Sequence, residues 1–438
     1  MFTTQKRRMK RSLYQKLLIW KQEKNRKPLI IRGARQVGKT WLMKEFGQNN
    51  YAQTAYINFE KSNRLNAVFE NDFDIPQIIT AIEIETGLKI NAPNTLLIFD
   101  EIQESERALT SLKYFYENAP QYHLVCASSL LGVSLHKNRS FPVGKVAFLD
   151  LYPLSFNEFL LATNNLALND LLETKDWTLT TAFKTKFIEL MRVYYFVGGM
   201  PEAVYSFVNE NDFSKVREIQ LRLLDAYEQD FSKHAPNELV PRIRMLWKSL
   251  PAQFAKENKK FVYGLIKQGA RAKEFELAIA WLIDAGLLYK VSCVLKPSIP
   301  LIAYQDNNAF KLFILDVGLL SAMGFIEPST LLNGLSIFQE FKGALTEQYV
   351  LQQFKCNKMV SIYYWASEKS SAEIDFLIQF QDQLIPIEVK ASENLQAKSL
   401  KSFHKQFNPK ISIRTSLSDF RKNDWLLNIP LYAIGNYF

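Results

Sequence analysis

The stretch "LIIRGARQVGKTWLMKEFG" at residues 29–47 decides the fold of the N-terminal part of this chain. An apolar run ends near Ile31, and the residues from Gly33 to Thr40 match the spacing G-x-x-x-x-G-K-[ST] at every fixed position. The glycines allow a tight turn into a helix that begins near Lys39, so that consecutive backbone N–H groups point at one place. The sequence therefore predicts a strand, a phosphate-binding turn and a helix.

This turn predicts a site for a nucleoside triphosphate. The residues expected to bind the phosphates are Gly33, Ala34, Arg35, Gln36, Val37, Gly38, Lys39 and Thr40. Lys39 is expected to reach the β- and γ-phosphates as a point charge, and the Thr40 hydroxyl to complete the ligand shell of Mg²⁺. The positive N-terminal end of the helix supports the same phosphates. ATP and Mg²⁺ are therefore the predicted cofactors.

A second apolar run, "NTLLIFDEIQ" at residues 94–103, ends at two acidic residues. A continuous apolar run is typical of a buried parallel strand. Asp100, at the end of the strand, is predicted to hold Mg²⁺, and Glu101 to polarise the attacking water as a general base. Together with the turn, these residues predict hydrolysis of ATP to ADP and phosphate.

Two further strand-like runs are "TAYINFE" at residues 54–60 and "YHLVCASSL" at residues 122–130. Strands and helices then alternate through the first 150 residues or so, which predicts a parallel α/β sheet. Ser128 is predicted to contact the γ-phosphate or the attacking water. The alternative, for both Ser128 and Ser129, is that they cap the helix that follows the strand.

The middle of the chain changes to a helical pattern, with apolar residues recurring every three or four positions. The segment "KKFVYGLIKQGARAKEFELAIAWLIDAGLLYKVSCV" at residues 259–294 predicts a helix, a turn, a second helix and a strand. Together with the strands that follow it, this is the outline of a winged helix. Such a module either binds DNA through its basic residues or packs domains together, and the sequence leaves both alternatives open.

Towards the C-terminus the predicted order is a helix that carries Glu347, three strands and another helix. Glu388 and Lys390 stand two residues apart on one strand and so share a face, and Asp375 lies on the neighbouring strand. Asp375, Glu388 and Glu347 are predicted metal ligands, and Lys390 is predicted to orient the attacking water. The alternative is a solvated hairpin with a Glu/Lys pair.

Apolar residues at alternate positions support one charged face on these two strands. The alternating residues are Ile374, Phe376, Ile378, Ile385, Ile387 and Val389. Because successive side chains point to opposite faces of a sheet, we expect the charged residues to lie together on the other face.

Taken together, the motifs resemble a family of AAA-type ATP-binding proteins of bacteria and archaea that join a P-loop domain to a C-terminal domain of unknown function. The stretches that carry the resemblance are "IRGARQVGKT", "IFDEIQ", "FPVGKVAFLDLYPLSFNEFL", "VGGMPEAV", "FKLFILDVGLL", "GALTEQYVLQQF", "AEIDFLI" and "PIEVKAS". The last two, with the helix before them, resemble the PD-(D/E)xK nuclease core. Where the family often has an arginine, this chain has Lys145, and Arg139 and Arg192 are alternatives for an arginine finger.

The resemblance implies an α/β protein of three parts. These are an AAA-type P-loop ATPase domain with a parallel sheet at 1–205, a helical and winged-helix-like domain at 206–335, and a small restriction-endonuclease-like α/β domain at 336–438. It implies an ATPase whose nucleotide state controls a nuclease-like, DNA-associated C-terminal domain. The alternative is a nucleotide-dependent regulatory or protein-binding module whose C-terminal domain is catalytically inactive.

Composition indicates which partners and which cellular location to expect for such a protein. The formal net charge of +10 favours polyanionic partners such as DNA. The three cysteines, Cys126, Cys293 and Cys356, are too far apart to indicate a disulfide framework or a zinc site, which favours the cytoplasm. No apolar run is long enough to span a bilayer, so no membrane partner is expected. A homo-oligomer and a protein partner both remain open.

Overall fold

A computed structural model describes residues 9–61, 63–71, 73–128, 142–255, 260–333, 339–356, 361–367, 371–393 and 396–437. Its contacts divide the chain into two compact units. Among the described residues, the N-terminal unit comprises Lys10–Tyr152 with Asp284–Gly286, and the C-terminal unit comprises Met9, Pro153–Ile283 and the residues from Leu287 onward. Among the helices that the structure describes, none is long and apolar enough to cross a membrane.

The N-terminal unit contains a five-stranded parallel sheet. Its strands are β1 (Leu29–Arg32), β2 (Gln53–Asn58), β3 (Thr95–Asp100), β4 (His123–Ser128) and β5 (Ala147–Asp150). Its helices are α1 (Leu13–Gln22), α2 (Lys39–Asn50), α3 (Asn63–Asn71), α4 (Ile75–Thr86) and α5 (Glu106–Asn118). The predicted α/β character and parallel sheet are confirmed, and β5 is an additional strand.

The order of strands in this sheet is β2-β3-β4-β1-β5. All residues of β3 and β4 are buried, because helices cover both faces of a parallel sheet. Aromatic side chains fill one side of the core, with Phe99 of β3 meeting the rings of Phe59, Phe69 and Phe115 edge to face. The order places β4 between β1 and β3, so the carboxyl ends of these three strands are neighbours at one edge.

The C-terminal unit begins with helices and ends with a mixed sheet. Its first helices are α6 (Phe156–Ala162), α7 (Leu166–Thr174), α8 (Trp177–Ala182), α9 (Lys184–Val197), α10 (Pro201–Glu210), α11 (Phe213–His234), α12 (Val240–Phe254) and α13 (Ala272–Asp284). Later helices are α14 (Val317–Met323), α15 (Pro328–Asn333), α16 (Gln339–Cys356) and α17 (Lys398–Phe407).

Eight strands of this unit form one sheet in the order β12-β13-β11-β10-β9-β8-β6-β7. They are β6 (Leu288–Val294), β7 (Gln305–Ile314), β8 (Ser361–Ala366), β9 (Glu373–Phe380), β10 (Gln383–Val389), β11 (Ser412–Ser416), β12 (Arg421–Lys422) and β13 (Leu426–Pro430). Helix α16, strands β8 to β10 and helix α17 follow one another as predicted, and β11 then runs parallel to β10.

The predicted wing is part of this sheet and does not stand alone. Strands β6 and β7 form an antiparallel hairpin, and β6 pairs in parallel with β8. A sheet therefore crosses the boundary predicted between 335 and 336. The first helix of the predicted helix-turn-helix is only a 3-10 turn, Tyr263–Leu265. Just before this turn, Phe261 donates its N–H to the carbonyl oxygen of Phe310 at 2.8 Å, which holds the backbone at Phe261 against β7.

A β-bulge in β9 changes the predicted faces of its side chains. The register against β8 shifts between Tyr363 and Trp365, so that β9 has one extra residue at Asp375 and Phe376. Ile374 packs in an apolar cluster with α17, whereas the Phe376 ring meets an aromatic ring of α16 at 5.8 Å between centroids. The expectation that Ile374 and Phe376 share one face was wrong, because the extra residue interrupts the alternation.

Helices α6 to α10 belong to the C-terminal unit, although most of them were predicted within the ATPase domain 1–205. A buried polar cluster around Asp316 explains this. Asp316 Oδ2 accepts hydrogen bonds from the Gly199 N–H at 2.6 Å and from Gln352 Nε2 at 2.9 Å. Gln352 Nε2 also donates to the Tyr194 hydroxyl, which donates to the Leu154 carbonyl. Three stretches that carried the family resemblance therefore meet in this cluster. They are "VGGMPEAV" with Gly199, "FKLFILDVGLL" with Asp316 and "GALTEQYVLQQF" with Gln352, and their contacts join the preceding helices to α14 and α16.

Candidate functional site

The turn between β1 and α2 has the geometry of a phosphate-binding loop. A Cβ atom on Gly33 would lie 2.2 Å from the carbonyl oxygen of Leu151, so that only glycine fits there. Gly38 has φ 94°, in the left-handed region, and is followed directly by α2. Both glycines are therefore required by the close approach and the turn, as the spacing predicts.

Lys39 is buried within this loop, with 6% of its surface exposed. Its Nζ atom donates hydrogen bonds to the carbonyl oxygens of Gly33 at 2.8 Å and Ala34 at 2.7 Å. Burial lowers the pKa of Lys39 to about 8, although the carboxylates of Glu101 and Asp100 act in the opposite direction. A phosphate group in the loop would offer the ammonium a charged partner in place of two neutral carbonyl groups.

Thr40 and Asp100 come together as predicted for a magnesium site. The Thr40 hydroxyl donates to Asp100 Oδ2 at 2.7 Å, and the Tyr56 hydroxyl donates to the same oxygen at 2.8 Å. Asp100 is buried, with 2% of its surface exposed. A hydroxyl and a carboxylate are oxygen ligands that Mg²⁺ accepts beside phosphate oxygens, so these residues fit the ion.

Tyr56 was not predicted as a site residue. It lies near the end of β2, the strand next to β3, where residue Asn58 pairs with Asp100. Burial raises the pKa of Tyr56 to about 12, and the hydrogen bond to Asp100 acts in the same direction, so the phenol stays protonated and donates. A polar residue near the end of a neighbouring parallel strand was the sequence signal that could have indicated this position.

Glu101 follows Asp100 with a backbone in the left-handed region, at φ 51° and ψ 44°. This conformation is costly for a residue with a side chain, and it occurs at functional sites as well as at turns and helix ends. Its Oε2 atom accepts a hydrogen bond from Gln103 Nε2. The acidic residue predicted as general base therefore stands directly beside the predicted magnesium ligand.

Ser128 ends β4, the strand that lies between β1 and β3, and pairs with Arg32 of β1. Only 1% of its surface is exposed, and its Oγ atom has no hydrogen-bond partner within the described ranges. A buried hydroxyl without a partner is uncommon, and a bound phosphate or water can supply one. Ser129 lies outside the residues that the structure describes.

Two further residues of the N-terminal unit bear on the remaining expectations. Arg11, missed by the motif analysis, donates to the Val37 carbonyl at 3.0 Å and to the Tyr152 carbonyl. Lys145, which stands where the family often has arginine, forms an ion pair with Glu117 Oε1 at 2.8 Å. Of the other arginine-finger candidates, Arg139 lies outside the described residues, and Arg192 lies on α9 of the C-terminal unit.

In the C-terminal unit, two of the predicted metal ligands face a lysine that was not predicted. Lys311 of β7 has its Nζ atom 3.7 Å from Glu347 Oε2 and 4.0 Å from Asp375 Oδ1, and its nearest partner is Glu373. Asp375 Oδ2 also accepts the N–H of Val389 at 2.8 Å. A lone lysine in the apolar run "AFKLFIL" was the sequence signal for this position.

The third predicted ligand, Glu388, pairs with Lys390. Lys390 Nζ lies 2.7 Å from Glu388 Oε1, and the buried Arg414 lies opposite Glu388 on β11. Over the described part of the chain, no group of three or more histidine, cysteine, aspartate or glutamate side chains has the arrangement of a metal site. The predicted set of Glu347, Asp375 and Glu388 is thus divided between two lysines.

The position of Lys311 disfavours a divalent ion at Glu347 and Asp375. An ion bound to Asp375 or Glu347 at the usual 2.0–2.6 Å would lie within roughly 7 Å of the Lys311 ammonium. Charges of +2 and +1 at about 7 Å repel by about 5 kcal/mol at an effective dielectric constant of about 20. The carboxylates therefore have a cation already, and we derive no reaction step through a metal here.

Family comparisons agree with the P-loop domain. Residues 25–160 match the family described as an AAA domain. The order of the parallel strands and the phosphate-binding loop of the N-terminal unit agree with this match. Residues 188–330 and 342–434 match two families described as domains of unknown function, DUF8612 and DUF4143. The chain therefore has an N-terminal AAA-type P-loop ATPase-like domain followed by regions similar to families without an assigned function.

Comparisons with solved structures give low similarity. The Walker-type ATPase PABY2304 of Pyrococcus abyssi has 13% identity and a TM-score of 0.45, covering 74% of this chain and 99% of that chain. The ORC1 protein of Aeropyrum pernix in complex with DNA has 12% identity and a TM-score of 0.26, covering 72% of this chain and 90% of that chain. No curated protein matches this sequence.

Proposed function

We propose that this protein binds ATP and hydrolyses it to ADP and phosphate with Mg²⁺. The observation that carries this proposal is the hydrogen bond of 2.7 Å between the Thr40 hydroxyl and Asp100 Oδ2, next to the buried Lys39. It brings together the residues of two separate motifs, as a P-loop ATPase requires.

Each residue has a distinct part in this reaction. Lys39 would leave the carbonyl groups of its own loop and turn its ammonium to the β- and γ-phosphates. Thr40 and Asp100 would hold Mg²⁺, which supplies positive charge to the oxygens of the β- and γ-phosphates. Glu101 would accept the proton of the attacking water, and the Ser128 hydroxyl would orient that water or the γ-phosphate.

We further propose that the nucleotide state controls a nuclease-like, DNA-associated C-terminal region in the cytoplasm. The order of helix, three strands and helix, followed by a strand parallel to β10, supports the nuclease-like arrangement. The net charge of +10 supports a polyanionic partner. In this reading Asp375, Glu388 and Lys390 occupy the positions of the PD-(D/E)xK motif.

A second candidate is a nucleotide-dependent regulatory or protein-binding module whose C-terminal region does not cleave. The ion pairs of Glu347 and Asp375 with Lys311 favour it, because a cation already stands at these carboxylates. In this case ATP turnover would respond to a protein partner or to a second copy of the chain, and DNA would not be cut.

The test of the ATPase is to measure ATP affinity and turnover for the parent and for three variants. Lys39→Ala should weaken ATP binding about 100-fold, because charge-assisted hydrogen bonds contribute up to about 3 kcal/mol. Glu101→Gln should keep ATP affinity and lower kcat by 10²-fold or more. Lys89→Ala is the matched control, since its ammonium is exposed and pairs with Glu83 at 3.1 Å. Unchanged ATP affinity in Lys39→Ala would refute the assignment.

DNA cleavage is tested separately, with Mg²⁺ or Mn²⁺ and with ATP present or absent. Cleavage by the parent that is lost in Asp375→Ala and Lys390→Ala would favour a working nuclease. Absence of cleavage across single-stranded, double-stranded and supercoiled DNA, with ATP turnover intact, would favour the second candidate.

A further inference from the structure

Strand β7 carries one lysine into the interior of the C-terminal unit. Lys311 has 1% of its surface exposed and stands between the buried Phe310 and Leu312. A lysine is almost never fully buried unless its charge is paired. Its position therefore requires a specific set of neighbours, and those neighbours come from other elements of the sheet and from α16.

Three carboxylates from two elements surround the Lys311 ammonium. Glu347 comes from α16, and Glu373 and Asp375 come from the bulged part of β9. The ring of Tyr364 on β8 lies with its centroid 5.0 Å from Nζ, which adds a favourable cation–π contact. Burial alone lowers the pKa of Lys311, but the three carboxylates outweigh it and raise the pKa above its ordinary value. The ammonium is thus charged at every physiological pH.

We propose that Lys311 is a built-in counter-ion, which takes the place that a divalent metal ion would have at the acidic residues of the nuclease-like region. This inference rests on the nuclease-like arrangement proposed above and is independent of ATP hydrolysis. It assigns Lys311, a residue of the β6–β7 hairpin, to the same site as Glu347 and Asp375. The C-terminal region then binds no divalent ion through these carboxylates and does not cleave DNA.

Because Lys311 lies on the β6–β7 hairpin, its ion pairs also connect this hairpin to the later strands of the sheet. The β6–β7 hairpin that carries Lys311 joins the carboxylate-bearing part of the sheet through the pairing of β6 with β8, where Cys293 lies opposite Tyr364. The hairpin and the later strands are therefore held together by charge as well as by their shared sheet. Without Lys311, the buried Glu347 and the partly exposed Glu373 and Asp375 would lie close together with one positive charge fewer among them, which favours the binding of an external cation.

The first experiment titrates nucleotide-free protein with Mn²⁺ and follows free Mn²⁺ by electron paramagnetic resonance. We expect no difference in Mn²⁺ binding between the parent and Asp375→Asn. In Lys311→Met we expect a new site, at least about tenfold tighter than any binding to the parent, which is lost when Asp375→Asn is added. Binding of Mn²⁺ to the parent that Asp375→Asn abolishes would overturn the inference, as would a folded Lys311→Met without a new site.

The second experiment covers the case in which Lys311→Met unfolds. Urea unfolding would compare Lys311→Met, Lys311→Met with Glu373→Gln, and Lys290→Met as a control from the same hairpin, whose ammonium lies 4.5 Å from the Phe310 ring centroid. If Lys311 acts as a counter-ion, removing one carboxylate should raise the urea midpoint of the Lys311→Met protein. A midpoint that stays the same or falls would mean that Lys311 acts by packing alone, and the inference would fail.

These outcomes can be told apart from failure of the proposed ATPase. ATP turnover is measured on the same samples, and Lys311→Met should keep the ATP affinity of the parent. Loss of ATP turnover in the parent would refute the ATPase and leave the Mn²⁺ result standing. Asp375-dependent cleavage of DNA by the parent would refute the counter-ion and leave the ATPase standing.

Discussion

Replacing Asp316 by alanine should destabilise the C-terminal unit more than the loss of a helix cap would. Asp316 is fully buried and caps α14, with Oδ1 accepting the N–H groups of Gly318 at 3.0 Å and Leu319 at 3.1 Å. Its other oxygen accepts from Gly199 and Gln352. The variant Asp316→Ala removes the acceptor from all four donors at once.

The size of the effect follows from these bonds. Loss of an N-cap costs about 1 kcal/mol, and each further buried donor left without an acceptor costs about 1–3 kcal/mol. Burial raises the pKa of the Asp316 carboxyl, so the parent already bears some cost for this charge, and the variant recovers it. We therefore expect a loss of about 3 to 5 kcal/mol, which is a large part of the usual 5–15 kcal/mol of unfolding free energy.

The assay is urea unfolding followed by circular dichroism, with Asp212→Ala as the control. Asp212 also caps a helix, α11, through the N–H groups of Ser214 at 2.8 Å and Lys215 at 3.4 Å, but its bonds lie at the surface. This control should lose only about 1 kcal/mol. ATP affinity of folded Asp316→Ala should equal that of the parent. If the two variants lose the same stability, the Asp316 cluster does not hold these helices together.

Three further predictions concern the N-terminal unit. Tyr56→Phe should raise the Mg²⁺ concentration for half-maximal ATP turnover by about tenfold, because Asp100 loses a hydrogen bond that orients it; an unchanged Mg²⁺ dependence would contradict this. Burial, with the nearby charges of Arg26 and Lys21, lowers the pKa of His123 to about 4, so protonation favours the unfolded chain. The contribution of His123 to stability should be constant above a pH of about 6.5 and should fall by at least about 1 kcal/mol as the pH drops from about 6.5 to about 4, so the loss over this range should be smaller in His123→Phe. Gly33→Ala should abolish ATP binding, measured by calorimetry, because its Cβ would lie 2.2 Å from a backbone oxygen; binding equal to the parent would show that the loop adapts.

Much of the ATP site was predictable because its geometry is local. The spacing from Gly33 to Thr40 fixes a turn between adjacent elements, and Asp100 ends an apolar run that could only be a buried strand. Tyr56 was not predicted, because its contact with Asp100 depends on which strands are neighbours. The motif did not contain that information.

The C-terminal site was less predictable, for the same physical reason. The spacing of Glu388 and Lys390 gave the two-residue repeat of a strand, and the structure pairs them at 2.7 Å. The bulge at Asp375 broke the alternation on which the shared charged face depended. A bulge is set by pairing with another strand and leaves no clear mark in the sequence of its own strand.

By itself, the sequence determined the phosphate-binding loop, the acidic end of β3 and the order of elements around Asp375 and Glu388. These features depend on neighbours in the chain, where backbone geometry translates spacing directly into position. Only the tertiary structure decided that Lys311 would stand between Glu347 and Asp375. The hairpin that carries Lys311 joins the later strands through hydrogen bonds between β6 and β8. The partners of the buried Lys311 charge are therefore set by which strands are neighbours in the sheet, and sequence spacing does not contain that information.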